Sequence, residues 1–492
     1  MRRTMLSVSA LLVLCLPRVS LAQTTPVSPP SARFDATAVR YEVPASNTSG
    51  GFFAAAMGTT NKHWLLYDMN ADGKPDLVQT RDPGNPDAVF GVNVKNEHWR
   101  VWSGTPTGSN PKLSPNWGLP SSGTAGGFRG FGAAQTIRQW IVVNFDERKR
   151  PSLLQTQDPT TSKVWMTADG HPYWKMFHTD SNARFGTYEI HVIVGNAGKE
   201  KGFYTAFSGS GTDQWTLMDM NKDGRLDLVQ TTNPETGKVW SEGTKRYWRV
   251  YYNNTGFGTN EIRMDIPTQW TVPEVGAPYT SGFNVAAVND GNKQWVTFDI
   301  DGDGIPELVH TADPATGKVW GSGTATPYWK VYKKDGWGFS KTPISWWVPE
   351  SGSADGFDAA TSAALGRNWV TIDLDGDGRP DLVQTSALDG NKVWGAGTPG
   401  TYWKLYKNSG SGFVKTPVSY PVPASGTADG FATITAADGN KQWTLVDIDG
   451  DARLDLVQTA DPATGDVWGL APARRGAKDE AKPYWKVYRG QP

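Results

Sequence analysis

The chain repeats itself six times. Trp64, Trp140, Trp215, Trp295, Trp369 and Trp443 recur at intervals of 74 to 80 residues. Four residues after each begins a 13-residue segment: DMNADGKPDLVQT (68–80), NFDERKRPSLLQT (144–156), DMNKDGRLDLVQT (219–231), DIDGDGIPELVHT (299–311), DLDGDGRPDLVQT (373–385) and DIDGDARLDLVQT (447–459). A period of this length constrains the fold strongly, because each unit must bury its apolar surface against its neighbours.

Within a repeat, the segment is followed by a Pro/Gly/Asp-rich turn, a short piece such as TGKVW (316–320) and a closing piece such as YWKVY (328–332). Alternating Val, Thr, Tyr and Trp suit a pleated surface packed on both faces, and no stretch sustains an apolar period of 3.6. The expected fold is all-β, with six small antiparallel sheets forming a six-bladed β-propeller; a linear solenoid of sheets is the alternative. Repeats fall at about 50–125, 126–201, 202–281, 282–355, 356–429 and 430–492, the last completed by 34–49. Ring closure is favoured because YEVPASNTSGGF (41–52) nearly copies YPVPASGTADGF (420–431), while nothing like it follows the sixth repeat. The N-terminal strand is therefore expected to close the last blade, leaving no open sheet edge.

Composition narrows the function. With 48 basic and 49 acidic residues the net charge is −1, so there is no global basic field to hold nucleic acid. Arg2 and Arg3, an apolar run from Leu6 to Leu16 and the small-x-small site Ser20-Leu21-Ala22 read as a secretory signal peptide over 1–22. Export would place the protein outside the cell or on its surface, and cleavage would remove Cys15, the only cysteine. Residues 23–33 read as a flexible leader and 34–492 as a single propeller; no later segment is long and apolar enough to span a membrane.

The repeated segment has the pattern of an oxygen-rich metal loop. Side-chain oxygens recur at positions 1, 3, 5 and 9, a glycine at position 6 permits the reversal that folds them around one point, and the carbonyl at position 7 can join them. The assigned ligands are Asp68, Asn70, Asp72 and Asp76; Asp219, Asn221, Asp223 and Asp227; Asp299, Asp301, Asp303 and Glu307; Asp373, Asp375, Asp377 and Asp381; and Asp447, Asp449, Asp451 and Asp455. Hard oxygen donors in this number suit Ca²⁺, giving about five structural sites. An EF-hand would need Glu at position 12 and flanking helices; here that position is Gln or His and strand-like sequence follows.

On this DxDGDGxxDLV pattern the chain resembles the VCBS or FG-GAP repeat proteins, whose calcium-loaded hairpins also line the propeller of integrin α subunits. The resemblance covers most of residues 34–490 and implies calcium in the blade hairpins; it does not carry over a partner. The repeats depart from it in lacking the Gly-Ala-Pro element and in being longer and richer in Trp.

Two loops deviate from the pattern. The second has Asn144, Arg148 and Ser152 at positions 1, 5 and 9, so no calcium is expected there; Arg148, with Lys149, is expected to supply a fixed positive charge near Asp146 and Glu147. The sixth has Ala452 where the other four predicted metal loops have Gly, which weakens that site if it needs positive φ.

Seventeen of the 23 Trp occupy three repeated positions: the six anchors, a VW set (Trp165, Trp240, Trp320, Trp394, Trp468, with Phe90 standing in) and a YW set (Trp99, Trp174, Trp248, Trp329, Trp403, Trp485). These are either packing between blades or a ring of sugar-stacking platforms, for which the YW set, including Trp329 and Trp403, is the better candidate. Trp337, Trp346 and Trp347, with Trp102, Trp117 and Trp270, lie outside the sets, and the first three are candidates for a local binding patch.

No nucleophile with its base, zinc helix or phosphate loop stands out, so no catalytic residue is assigned. His63, His98 and His310 occupy repeat positions held elsewhere by other residues, whereas His171, His178 and His191 share the repeat that lost its metal loop. The expectation is a binding or adhesion module for glycan or a surface protein; the alternative is a polysaccharide lyase or other enzyme acting on acidic glycans.

Overall fold

The computed structural model describes residues 33–491 apart from 60–61, 93–95, 106–115, 136–137, 181–183, 211–212, 255–260, 277–278, 291–292, 365–366, 389–390, 398–399 and 471–481. The expected signal peptide, Cys15 and leader residues 23–32 lie outside the described residues. Six small sheets form a six-bladed β-propeller. The fifth blade is representative, running Thr361–Ala364, Arg367–Ile372, Asp381–Gln384, Thr401–Tyr406 and Val418–Val422 in antiparallel order. Its predicted metal loop, 373–380, connects the second strand to the third.

The sixth blade is completed from the other end of the chain. Val39–Glu42 pairs antiparallel with Tyr484–Tyr488, with Val39 opposite Val487 and Glu42 opposite Tyr484. A second link adds to this closure, as Arg33–Phe34 pairs with Gly490–Gln491.

Packing explains the DLV run. In the DLVQ and ELVH strands every residue is buried, because blades cover both faces. Successive side chains point to opposite faces of a strand, so the Leu enters one interface and the Val the next. Leu382 packs in the cluster shared with the fourth blade and Val383 in the cluster shared with the sixth. Leu456 and Val457 repeat this one blade further on. The buried clusters each join two consecutive blades, and the last joins the sixth blade to the first through Trp64, Leu77, Val457 and Trp485. That closed circuit distinguishes a ring from a solenoid.

Blade edges are covered by neighbours. Glu261–Met264 of the third repeat lies parallel to Ile190–Val194 of the second blade. Parallel bridges Gly118 to Arg184, Thr271 to Gly338 and Trp347 to Gly412 do the same elsewhere. On the fifth blade, Phe34 packs edge-on against Trp403 and Tyr420. Covered edges cannot pair with another chain.

Candidate metal loops and aromatic surfaces

The five predicted metal loops share one backbone wrap. The position-1 carboxylate accepts the N–H of position 6: Gly73 to Asp68 at 2.9 Å, Gly224 to Asp219 at 2.9 Å, Gly304 to Asp299 at 2.9 Å, Gly378 to Asp373 at 2.8 Å and Ala452 to Asp447 at 2.8 Å. Position 5 accepts from position 7 in each, for example Ile305 N–H to Asp303 at 2.7 Å. Position 6 has positive φ throughout, and Ala452 is held there at 69°.

Carboxylates converge in three of these loops: Asp299, Asp301 and Asp303; Asp373, Asp375 and Asp381; and Asp447, Asp449 and Asp455 each offer oxygens within 4.8 Å of one another. The first and third loops form no such group among the described residues; in them the Asn70 and Asn221 amides donate to Asp72 at 3.2 Å and Asp223 at 3.1 Å. Burial, with neighbouring loop carboxylates adding to it, pushes Asp76, Asp227 and Asp455 up to about 7, and Glu307 and Asp381 up to about 8. Asp381 is fully buried, and its Oδ2 has no hydrogen-bond partner. A hard cation fits this donor set: it would supply the missing partner and let the clustered carboxyls ionise together.

The loops form a continuous ring on one face. Tyr67 Oη donates to Asn144 Oδ1 at 3.0 Å, Arg225 Nε to Glu147 Oε2 at 2.8 Å, and Lys222 Nζ to the Asp303 carbonyl. Asn408 Nδ2 donates to the Ile300 carbonyl at 2.7 Å, and Gly376 and Gly450 lie against Arg453 and Lys74.

In the second blade an internal cation sits in the loop. Arg148 Nη2 and Nε reach the buried Asp146 carboxylate at 2.6 and 3.0 Å, and Arg148 also contacts His178 Nδ1. Glu147 pairs with Arg225 of the third blade at 2.8 Å. Burial and Arg148 lower the His178 pKa to about 4. The three histidines of this repeat do not converge: His171 precedes the strand Pro172–His178 and His178 ends it, while His191 packs at a tilt on Tyr173 and meets Glu189 at 3.0 Å.

The tryptophan sets resolve into framework. Every YW indole N–H donates to the carbonyl of a phenylalanine in the next blade, as from Trp329 to Phe357 and Trp403 to Phe431, both at 2.7 Å. That phenylalanine meets the anchor indole edge-on, as Phe431 meets Trp443 at 5.1 Å and 85°. Trp329 and Trp403 have no exposed surface, so the expectation that they stack on a ligand is corrected: they are blade-to-blade staples. Trp346 is likewise buried, opposite Trp329, as Trp117 is opposite Trp99 and Trp270 opposite Trp248. This is a fourth repeated position, filled by Tyr420 and Tyr41 in other blades. Cross-strand register reveals it; sequence spacing, blurred by loops of unequal length, does not.

The VW positions carry cations on their faces. Lys175, Arg249, Lys330, Lys404 and Lys486 sit 3.3 to 3.9 Å from the ring centroids of Trp165, Trp240, Trp320, Trp394 and Trp468. A face covered in this way is not open for a sugar to stack on. On the second blade a cleft runs between Trp165, Lys175 and Glu189, with Lys175 bridging to Glu189 at 2.9 Å.

Two of the five predicted ligand-binding tryptophans remain exposed, Trp337 at 65% and Trp347 at 45%. Trp337 rests on Tyr252 and Trp347 on Tyr328, and exposed Ile344 shares a strand with Trp347.

No family model matches the chain, and no curated protein does. Among solved structures, the chain is similar to an Agrocybe aegerita lectin described as specifically recognising non-reducing terminal N-acetylglucosamine, with 15% identity, a TM-score of 0.39, and coverage of 89% of this chain and 92% of that chain. No helix among the described residues is long and apolar enough to cross a membrane.

Proposed function

We propose that the chain is an exported propeller of the VCBS or FG-GAP kind, braced by about five calcium ions, that binds glycan or a cell-surface protein. The carrying observation is the loop chemistry: carboxylates wrapped by one backbone pattern in five blades, with a fully buried Asp381 oxygen lacking a partner. The side chains at positions 1, 3, 5 and 9 would hold the ion, and when bound it supplies charge neutralisation and a cross-link within each hairpin. Because neighbouring loops touch, fixing each hairpin fixes its neighbours.

The binding half of the reading is supported by Trp337 and Trp347, large aromatic faces that the framework does not use. A glycan array run with wild type and a Trp337→Ala/Trp347→Ala variant tests it. The reading expects discrete hits that the variant loses; capture of one surface protein with a blank array would select the protein ligand. Release of unsaturated uronate from an acidic polysaccharide would replace both with a lyase.

A further inference from the structure

We infer that Lys333, Lys407 and Arg489 are charge-compensating partners of the metal loops, matched to the repeats that carry a carboxylate at position 3, so that position 3 and its partner together add no net charge in any of the five loops. This rests on the calcium reading above and names the residues that set each site's charge.

The matching comes from register. Leu308 pairs with Tyr332, Leu382 with Tyr406 and Leu456 with Tyr488, which makes Lys333, Lys407 and Arg489 the next residue beside each loop. In the first and third repeats the same register, Leu77 to Trp102 and Leu228 to Tyr251, puts Ser103 and Tyr252 there. The three repeats with a cation are those with Asp301, Asp375 and Asp449 at position 3, and the two without have Asn70 and Asn221. Counting ligand carboxylates and this one partner, three carboxylates alone or four less one cation give −3 in every case. In the second repeat the position holds His178, beside a loop already balanced by Arg148.

The contacts are direct. Lys333 Nζ lies 2.5 Å from Asp301 Oδ2, Lys407 Nζ 2.7 Å from Asp375 Oδ2 and Arg489 Nε 3.4 Å from Asp449 Oδ2. These aspartate side chains are only 10 to 11% exposed, so water screens a fourth charge poorly. Lys333 and Lys407 each take one carboxylate oxygen while the other accepts a loop N–H, from Asp303 at 3.1 Å and Asp377 at 3.3 Å; Arg489 forms a longer ion pair, and Asp449 Oδ1 is buried without a partner. The basic residues at position 7 are a separate matter: Arg379 and Arg453 pair with position 5 at the exposed rim, and the fourth loop has Ile305 instead.

The test is a double-mutant cycle in the full chain: Asp301→Asn, Lys333→Ser and both together, the last reproducing the pair of the first repeat. In EDTA, Lys333→Ser should lower the melting temperature and added Asp301→Asn should restore it. In a calcium titration, Asp301→Asn alone should weaken one site by about tenfold, and the double variant should return to within about threefold of wild type. Singles that simply add in EDTA overturn the inference. Wild type that takes up no calcium, with the EDTA cycle still showing rescue, overturns the calcium reading and leaves the charge matching standing. Asp375→Asn with Lys407→Ser repeats the cycle in another blade should the first set fold poorly.

Discussion

Replacing Trp403 separates a structural tryptophan from a ligand-stacking one. Its indole is fully buried between the fifth and sixth blades, packed edge-on by Phe34 and bonded to the Phe431 carbonyl at 2.7 Å. Trp403→Ala removes the packing, at about 3 to 5 kcal/mol. It also leaves a buried carbonyl without its donor, at about 1 to 3 kcal/mol, although the two terms overlap because the cavity admits water. A total near 4 to 6 kcal/mol is expected, while Trp403→Phe, which keeps most of the volume, should cost about 2 kcal/mol. Urea denaturation followed by tryptophan fluorescence reads both, as a lower midpoint with an unchanged slope. Trp347→Ala, at a half-exposed site, should move the midpoint by less than about 1 kcal/mol. A Trp403→Ala protein as stable as wild type but unable to bind its ligand would refute the staple.

Other outcomes follow from single features. Ala452→Gly should stabilise the sixth loop by about 1 kcal/mol, since Ala452 is held at φ 69°, and should raise the melting temperature with and without calcium. Arg148→Met should destabilise the second blade by about 2 to 3 kcal/mol by stranding buried Asp146, with no gain of a calcium site because Asn144 and Ser152 bring no charge. His310 is fully buried, and burial together with Lys330 lowers its pKa from 6.5 to about 3, so it folds neutral. Between those values the unfolded chain binds the extra proton, so this contribution is complete above pH 6.5 and is lost as pH falls toward 3. His310→Gln, with the residue other repeats use, should therefore lose about 2 kcal/mol less than wild type between pH 7 and pH 5 in urea titrations.

The ring was legible because it is written six times. Period, strand composition and the near copy of 420–431 at 41–52 were enough to predict an N-terminal strand within 34–49 closing the last blade, a place that Val39–Glu42 takes. The convergence of acidic side chains in three of the loops was readable because such a loop is local. The role of Trp329 was not: a strand alternating Tyr, Trp and Lys shows that one face differs, but not that the Trp is fully buried with its indole N–H bonded to the Phe357 carbonyl of the next repeat. Lys333 was hidden for a related reason, since it lies 32 residues from Asp301 and only strand pairing joins them.

The account stands on calcium in the loops. Titrating the EDTA-treated chain with calcium while counting bound ions by equilibrium dialysis measures it directly. About five ions per chain, with a melting temperature that climbs as they bind, is the expected result. Zero uptake, with the same melting curve in EDTA and in millimolar calcium, would contradict it.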